Sequence, residues 1–136
     1  MPEFQERGAE IAAVSTDSKF SHKAWLQSPR KQGGVQGCKY PLLADFTKKV
    51  ATEYGVLIEA SGIALRGLFL IDPDGVVQHL QINNLAIGRN VDDVLRLIDA
   101  YQENKKNGTV CPIGWKKGSE AITPAKAADW FAKNAK

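Results

Sequence analysis

The stretch from residue 65 to residue 83 constrains the fold of this chain more than any other. It holds two apolar segments, 65–72 and 76–83, which meet at the turn-forming sequence Asp-Pro-Asp-Gly. Proline, aspartate and glycine suit the backbone of a tight turn, so the stretch predicts a β-hairpin. The following segment, 90–106, has apolar residues at helical spacing and acidic residues at its start, which predicts a helix. A hairpin followed by such a helix indicates an α/β fold with one sheet flanked by helices.

The rest of the chain extends this α/β order. We predict a helix end over 2–8, a strand over 9–16, helices over 18–28 and 44–56, and a short helix over 124–133. In the helix over 18–28, Ser18 or Asp17 is the expected cap, and Phe20 and Trp25 are expected to face the core. A helix end without a preceding strand predicts a chain that begins in the middle of a domain.

Composition and charge narrow the possible classes of function. The 136 residues fit a single domain, and 43% hydrophobic and 24% charged residues are typical of a soluble globular protein. The net charge of +3 is small and the basic residues are scattered up to the C-terminal tail, which disfavours nucleic-acid binding. No apolar run is long enough to cross a bilayer, so no membrane partner is expected.

The cysteine content and the N-terminus bear on the cellular compartment. Two cysteines far apart in sequence do not make a secreted disulfide framework. The N-terminus also lacks the apolar core of a signal peptide. A reducing compartment is therefore expected: the cytoplasm, or an organelle if an upstream targeting segment is missing.

Sequence motifs for metal and phosphate binding are absent. His22 and His79 lie in different predicted elements and share no ligand spacing with the cysteines, so no metal site is expected. The glycine-rich segment 30–37 lacks the Lys-Ser/Thr ending of a phosphate-binding loop. The sequence therefore predicts no cofactor.

Three residues remain as candidates for chemistry. Arg66 enters the strand 65–72 and is expected to be partly buried, where its guanidinium would bind an anion or thiolate, or else a structural carboxylate. Cys111 lies in a tail that is predicted to be mobile and exposed, which suits disulfide exchange. Cys38 lies in a glycine-rich loop with no base beside it, and its thiol is expected to be incidental.

Taken together, these segments resemble a typical two-cysteine peroxiredoxin along essentially the whole chain. The matching stretches occur in the family's order: 13–25 (AVSTDSKFSHKAW), 29–34 (PRKQGG), 40–45 (YPLLAD), 54–57 (YGVL), 62–79 (GIALRGLFLIDPDGVVQH), 83–96 (NNLAIGRNVDDVLR) and 108–118 (GTVCPIGWKKG). The resemblance implies a thioredoxin-like fold, for which we expect a domain over 1–106 and a tail over 107–136. It also implies homodimers formed edge to edge, here through the strand 76–83, that often assemble into rings.

The chemistry of that family assigns roles to three residues of this chain. Peroxide oxidises a peroxidatic cysteine to a sulfenic acid, a resolving cysteine of the partner subunit condenses with it, and a thioredoxin-type protein reduces the disulfide. The family's late Val-Cys-Pro motif, with tryptophan and lysine after it, matches 110–117, so Cys111 resembles the resolving cysteine. Arg66 matches the arginine that stabilises the peroxidatic thiolate, and Arg89 matches a second arginine that supports the pocket. A peroxide substrate and a thioredoxin-type reductant are the implied partners.

The family's early Val-Cys-Pro motif, which carries the peroxidatic cysteine, is absent. By family spacing it would lie upstream of Phe4, and Cys38 has neither its proline–threonine pattern nor its helix start. The resemblance therefore implies an N-terminally truncated fold that lacks the central strand between 9–16 and 65–72. We expect such a chain to be inactive or nearly so alone, and to fold poorly unless its sheet finds another pairing.

Three functions are consistent with these features. The first is that the chain belongs to a thioredoxin-dependent peroxide reductase and retains its resolving cysteine but not its peroxidatic cysteine. The second is non-catalytic: a subunit that joins peroxiredoxin rings, or a binding or chaperone-like module, that pairs through the strand 76–83. The third is a thioredoxin-fold protein that uses Cys111 for a different disulfide exchange.

Overall fold

The computed structural model describes residues 1–135 and confirms the α/β order expected from the sequence. The helices are α1 (Pro2–Gln5), α2 (Lys19–Gln27), α3 (Lys49–Glu53), α4 (Val91–Asn107) and α5 (Ala127–Asn134). The strands are β1 (Ala13–Ser15), β2 (Leu42–Ala44), β3 (Leu57–Ile58), β4 (Ile63–Ala64), β5 (Arg66–Ile71) and β6 (Val77–Asn83). Lys136, the last residue of the predicted tail over 107–136, lies outside the described residues.

In residues 1–135 the strands form three separate two-stranded sheets. β1 pairs with β2 in parallel, with Ala13 opposite Leu42 and Ser15 opposite Ala44. β3 pairs antiparallel with β4, and β5 pairs with β6 as the predicted hairpin. No ladder in the described chain joins β1 to β5, which agrees with the gap that the resemblance places between these strands.

The chain forms two compact units. The first comprises residues 1–69 and 80–89, and the second comprises residues 70–79 and the chain from residue 90 onward. These two units are defined by the contacts within each of them. The predicted division into a domain over 1–106 and a tail over 107–136 rests on the family resemblance and stays a prediction.

Helix α2 of the first unit presents a different face to the interior from the one predicted. Ser18 caps it as expected, since its Oγ accepts a hydrogen bond from the amide of Ser21 at 3.2 Å. Phe20 and Trp25, however, are 74% and 43% exposed, so the expectation that they face the core is wrong. The buried position is His22, whose Nε2 is hydrogen-bonded to Oγ of Ser15 at the end of β1. Phe20 lies two residues before His22 and therefore points to the opposite side of the helix.

The predicted helix over 44–56 is wrong in its first half. Ala44 ends β2, and α3 begins only at Lys49. The buried carboxylate of Asp45 sets this start, because it accepts hydrogen bonds from the amides of Val50 at 3.0 Å and Ala51 at 2.7 Å. Such side-chain bonds compete with helix formation and place aspartate at helix starts. Strands β2, β3 and β4 were not predicted, since strands of two or three residues are too short to show a period.

In the second unit, Asp72 organises the turn between β5 and β6. Its carboxylate accepts hydrogen bonds from the amides of Val76 (2.9 Å) and Asp74 (3.0 Å), from Nε2 of Gln78 (2.8 Å) and from the hydroxyl of Tyr101 (3.3 Å). The hydrogen bond from Val76 is the largest of the effects that lower the pKa of Asp72. The same carboxylate thus fixes the turn and attaches it to α4, because Tyr101 lies on that helix.

Helix α4 begins and ends where its sequence predicts. Asn90 caps it by accepting hydrogen bonds from the amides of Asp92 at 2.9 Å and Asp93 at 3.4 Å. The helix ends at Asn107, and the next residue, Gly108, adopts the left-handed conformation that glycine tolerates best. Its inward face carries Ile98, which is 5% exposed.

The apolar core of each unit is small. The buried apolar residues are Ala51 and Val56 in the first unit, and Ile98, Trp115 and Ile122 in the second. No side chain in residues 1–135 is completely removed from solvent. No helix in the same residues is long and apolar enough to cross a membrane.

Candidate functional site

Backbone carbonyl groups hold Arg66 and Arg89 next to each other in the first unit. Arg66 is the first residue of β5, and its Nε donates to the carbonyl oxygen of Leu85 at 3.2 Å. Arg89 donates from Nη1 to the carbonyl oxygen of Gly67, the residue that follows Arg66, at 2.7 Å. The structure therefore places the guanidinium of Arg89 against the backbone beside Arg66, in the same region of the first unit.

Both arginines are exposed, so the expectation that Arg66 is partly buried is wrong. Arg66 occupies the exposed first position of β5, before the strand becomes half-buried at Gly67. In residues 1–135 neither guanidinium forms an ion pair with a carboxylate, which removes support from the structural ion pair considered for Arg66. A guanidinium has five N–H donors, so each arginine keeps donors with which to bind an anion.

The first unit also contains a cavity of about 540 Å³ whose lining includes Arg30, Cys38 and Tyr40. Burial, followed by the neighbouring Cys38, raises the pKa of Tyr40, while the positive charges of Arg30 and Arg89 oppose that rise. Arg89 therefore lies close enough to influence the phenol electrostatically. Cys38 is half-buried, and its Sγ donates to the carbonyl oxygen of Tyr40 at 3.5 Å. The sequence carried no signal for Tyr40 beyond its place in the block 40–45.

Cys111 lies in the second unit and is less exposed than predicted. It is half-buried, and its Sγ donates to the carbonyl oxygen of Ala100 on α4 at 3.7 Å. The preceding residue, Val110, pairs with Ile122 through two backbone hydrogen bonds of 2.8 Å. The expectation that Cys111 lies in an exposed tail is therefore wrong, whereas the mobility of the segment stays a prediction.

One local hydrogen bond and one ion pair distant in sequence hold this segment. Trp115 is 4% exposed and donates from Nε1 to the carbonyl oxygen of Ser119 at 3.1 Å. Lys117 forms an ion pair with the buried carboxylate of Asp99 on α4 at 3.6 Å. The ion pair attaches the segment after Cys111 to α4, and the hydrogen bond from the buried Trp115 closes a turn within the segment.

The environment of Cys111 keeps its thiol protonated. Burial raises the pKa of Cys111, the negative charge of Glu103 raises it further, and the positive charge of Arg96 opposes both. A peroxidatic cysteine needs the opposite environment, since the thiolate is the nucleophile. The geometry therefore disfavours first attack on peroxide by Cys111.

We predict that Cys111 reacts severalfold more slowly with iodoacetamide in the folded chain than in urea at neutral pH. Only the thiolate is alkylated, and a raised pKa lowers its fraction until the pH exceeds the folded-state pKa. The measurement is the pH profile of the alkylation rate in the Cys38→Ser variant. Replacing Glu103 by glutamine should move the midpoint of the profile to lower pH. A folded profile that coincides with the profile in urea would contradict the prediction.

The predicted site residues are thus divided between the two units. Arg66 and Arg89 lie in the first, Cys111 lies in the second, and each set is built by contacts within its own unit. In residues 1–135 no cluster of histidine, cysteine, aspartate or glutamate is arranged to hold a metal ion.

Comparisons with known proteins agree with the resemblance. The AhpC/TSA family profile matches residues 1–80, and the profile of the C-terminal domain of 1-Cys peroxiredoxin matches residues 100–133. Peroxiredoxin tpx1 of Schizosaccharomyces pombe is 50% identical over 96% of this chain and 68% of its own length. The mitochondrial thioredoxin-dependent peroxide reductase of Homo sapiens is 49% identical over 96% of this chain and 52% of its own length.

Solved structures extend the likeness to the fold. The reduced 2-Cys peroxiredoxin of Plasmodium vivax superposes with a TM-score of 0.92 at 44% identity, over 96% of this chain and 68% of its own. The chain thus spans between about half and two thirds of the length of these relatives. By sequence and by fold, the chain belongs to the AhpC/TSA peroxiredoxins, and among them to the typical two-cysteine class with its thioredoxin-like fold.

Proposed function

We propose that this chain acts as the resolving half of a thioredoxin-dependent peroxide reductase, with Cys111 as the resolving cysteine. The observation that carries the proposal is the site of Cys111 itself. Its thiol is half-buried against α4 and its pKa is raised, which protects it from direct oxidation by peroxide. Because the raised pKa also slows attack by the sulfur of Cys111, the resolving role requires a strongly electrophilic partner such as a sulfenic acid.

The proposed step joins two subunits. A cysteine of another subunit, oxidised by peroxide to a sulfenic acid, is attacked by the sulfur of Cys111. An S–S bond forms, the S–O bond breaks, and the hydroxyl leaves with the proton of the Cys111 thiol as water. A thioredoxin-type dithiol then reduces the disulfide by thiol–disulfide exchange and is itself oxidised.

We assign the two arginines to the pocket of the reacting sulfur. Within residues 1–135 neither guanidinium is paired with a carboxylate, and Arg89 contacts the carbonyl oxygen of Gly67, the residue after Arg66. This arrangement suits the binding of a thiolate or a peroxide oxygen. Arg66 would act on the reacting atoms, and Arg89 would act as a positioning residue through the carbonyl of Gly67.

The test is peroxide consumption by the purified chain with thioredoxin, thioredoxin reductase and NADPH. The expected rate equals that of a protein-free control, because Cys111 is shielded and protonated and Cys38 lies outside any peroxidatic motif. Consumption above the control that Cys38→Ser abolishes would assign the peroxidatic role to Cys38 and overturn the proposal.

A second candidate function is self-association through β6. This strand pairs only with β5 within the described chain, so its other edge is open. Val77, Leu80 and Ile82 on it are 45%, 56% and 40% exposed, which is a suitable surface for pairing with another strand. We propose that β6 forms a homodimer, or joins larger rings of peroxiredoxin subunits.

We also propose a reducing compartment, the cytoplasm, for this chain. Both of its cysteines are free thiols, which such a compartment maintains. Cell fractionation tests the proposal, and recovery of the protein in an organelle would replace it.

A further inference from the structure

The cavity of the first unit has no role in the proposed function. Its volume of about 540 Å³ lies within the range of about 300–1,000 Å³ that is typical of small-molecule sites. Its lining includes the polar side chains of Arg30, Lys39 and Cys38 and the apolar ones of Pro2 and Val35. Among the described residues no aspartate or glutamate lines it. The cavity therefore combines positive charge with an apolar wall.

The two cations of this cavity are not neutralised by the described chain. In residues 1–135 neither Arg30 nor Lys39 forms an ion pair with a carboxylate. Nε of Arg30 donates to the carbonyl oxygen of Gln36 at 3.1 Å, and the guanidinium keeps its terminal N–H donors for a ligand. The ammonium group of Met1 also lines the cavity, but the carboxylate of Glu3 binds it at 3.2 Å. Cations without a counter-charge around a cavity favour an anionic ligand.

Tyr40 adds a neutral hydrogen-bond donor to the lining. Burial raises the pKa of its phenol, and the neighbouring Cys38 raises it further, so the hydroxyl stays protonated at neutral pH. The positive charges of Arg30 and Arg89 act on the same phenol in the opposite direction, which places it in the field of both guanidiniums. A hydroxyl donor in such a field suits the oxygen of a carboxylate or phosphate group.

The loop that carries these groups is held against α2. The indole of Trp25 donates from Nε1 to the carbonyl oxygen of Gly33 at 2.8 Å, and the amide of Val35 donates to the carbonyl oxygen of Trp25 at 3.1 Å. A Cβ atom at Gly34 would lie 2.0 Å from the carbonyl oxygen of Ser28, so only glycine fits this close approach. These contacts build the cavity wall from the chain itself, which reduces the ordering that a ligand must bring about.

We propose that this cavity binds a small organic anion. The carboxylate or phosphate group of the ligand is held by Arg30, Lys39 and Tyr40. Its apolar body lies against Pro2 and Val35. An inorganic ion would leave most of the cavity unfilled, so the ligand needs a body as well as a charge.

The thiol of Cys38, which is half-buried and lines the cavity, reports on the proposed site. In the Cys111→Ser variant it is the only thiol of the chain. Its rate constant is measured with dithiobis(nitrobenzoate), an anionic disulfide, and with the uncharged dithiodipyridine. In each reaction the Cys38 thiolate attacks one sulfur of the reagent, the S–S bond of the reagent breaks, and the coloured other half leaves. The ratio of the two rate constants measures the preference of the cavity for an anion.

This ratio should be about threefold higher, or more, in the folded chain than in urea, where the cavity is lost. Arg30→Gln and Lys39→Gln should each lower it about threefold, as expected for the loss of one exposed pair of opposite charges. The matched control is Lys23→Gln, which removes an exposed lysine of α2 outside the cavity and should leave the ratio unchanged. A ratio in the folded chain equal to that in urea overturns the proposal. Variants that change both rate constants equally also overturn it, because a loosened loop does that without a preference for charge.

Unreactive anions test the body of the ligand and its charged group. Nitrobenzoate or phenyl phosphate should slow the reaction of Cys38 with dithiodipyridine, and the one that protects at lower concentration identifies the charged group as a carboxylate or a phosphate ester. Inorganic phosphate at the same concentration should not protect the thiol. Equal protection by inorganic phosphate overturns the assignment to an organic ligand, and a lack of protection by all three anions overturns the site.

Discussion

Peroxide should link this chain covalently to a peroxiredoxin subunit whose own resolving cysteine has been replaced by serine. In such a mixture the serine-substituted subunits offer no resolving thiol to the peroxidatic sulfenic acid. We propose that Cys111 of this chain is the thiol that forms the disulfide with it. The disulfide should appear as a heterodimer on a non-reducing gel, and dithiothreitol should remove it. Cys111→Ser should abolish the heterodimer, whereas Cys38→Ser should leave its yield unchanged.

The structure explains why Cys111→Ser and Cys38→Ser should affect the yield of the heterodimer so differently. Both thiols are half-buried, but the segments that hold them differ. Cys111 lies in an anchored segment between the Val110–Ile122 pairing and the buried Trp115, whereas Cys38 lies in the glycine-rich loop that lines the cavity of the first unit. A cross-link that depends on Cys38 and survives Cys111→Ser would contradict the assignment. The same result would leave the family membership intact, since that rests on the whole chain.

Elements with their own local signals were predicted correctly from the sequence. The hairpin has a turn sequence that Asp72 closes with local hydrogen bonds, and α4 has a capping asparagine, a periodic apolar face and a terminal glycine. These signals act over a few residues and need no information about the remainder of the fold.

Features decided by contacts between different helices, strands and loops were predicted wrongly. The inward face of α2 depends on the hydrogen bond between His22 and Ser15. The apolar residues Phe20 and Trp25 wrongly predicted a different inward face, since both are exposed. The partial burial of Cys111 accompanies the pairing of Val110 with Ile122, although glycine, proline and lysine in the segment indicate a loop. Burial of a residue is a property of its neighbours in space, so composition alone predicts it poorly.

In the candidate site, too, motifs located the residues, whereas their surroundings could not be predicted from the sequence. The resemblance located Arg66 and Arg89 through their motifs, and the structure places them together through carbonyl oxygens of Leu85 and Gly67. Their exposure and the proximity of Arg89 to Tyr40 needed coordinates, because neither follows from a motif. The roles of the arginines and of Cys111 stay predictions until the experiments above are done.

The small cores bear on how the isolated chain should unfold. Ala51 and Val56 are the buried apolar residues of the first unit, while Val14 and Leu43 on the β1–β2 sheet are 45% and 49% exposed. A strand pair with exposed apolar side chains and unpaired outer edges gains little from burial and offers surfaces for association. Folding of the chain should therefore depend on a second chain that covers such an edge.

Heating the purified chain at low micromolar concentration should give a broad transition with weak cooperativity. At higher concentration the midpoint should rise, because pairing through β6 stabilises the folded state by mass action. Leu80→Lys places a charge on this strand and should abolish the dependence on concentration, whereas Phe20→Lys on α2, at a residue that is also exposed, should retain it. Circular dichroism measures the midpoint and sedimentation measures the mass. A sharp transition that is independent of concentration, at the mass of a monomer, would show that each chain is stable alone and would remove the basis for association through β6.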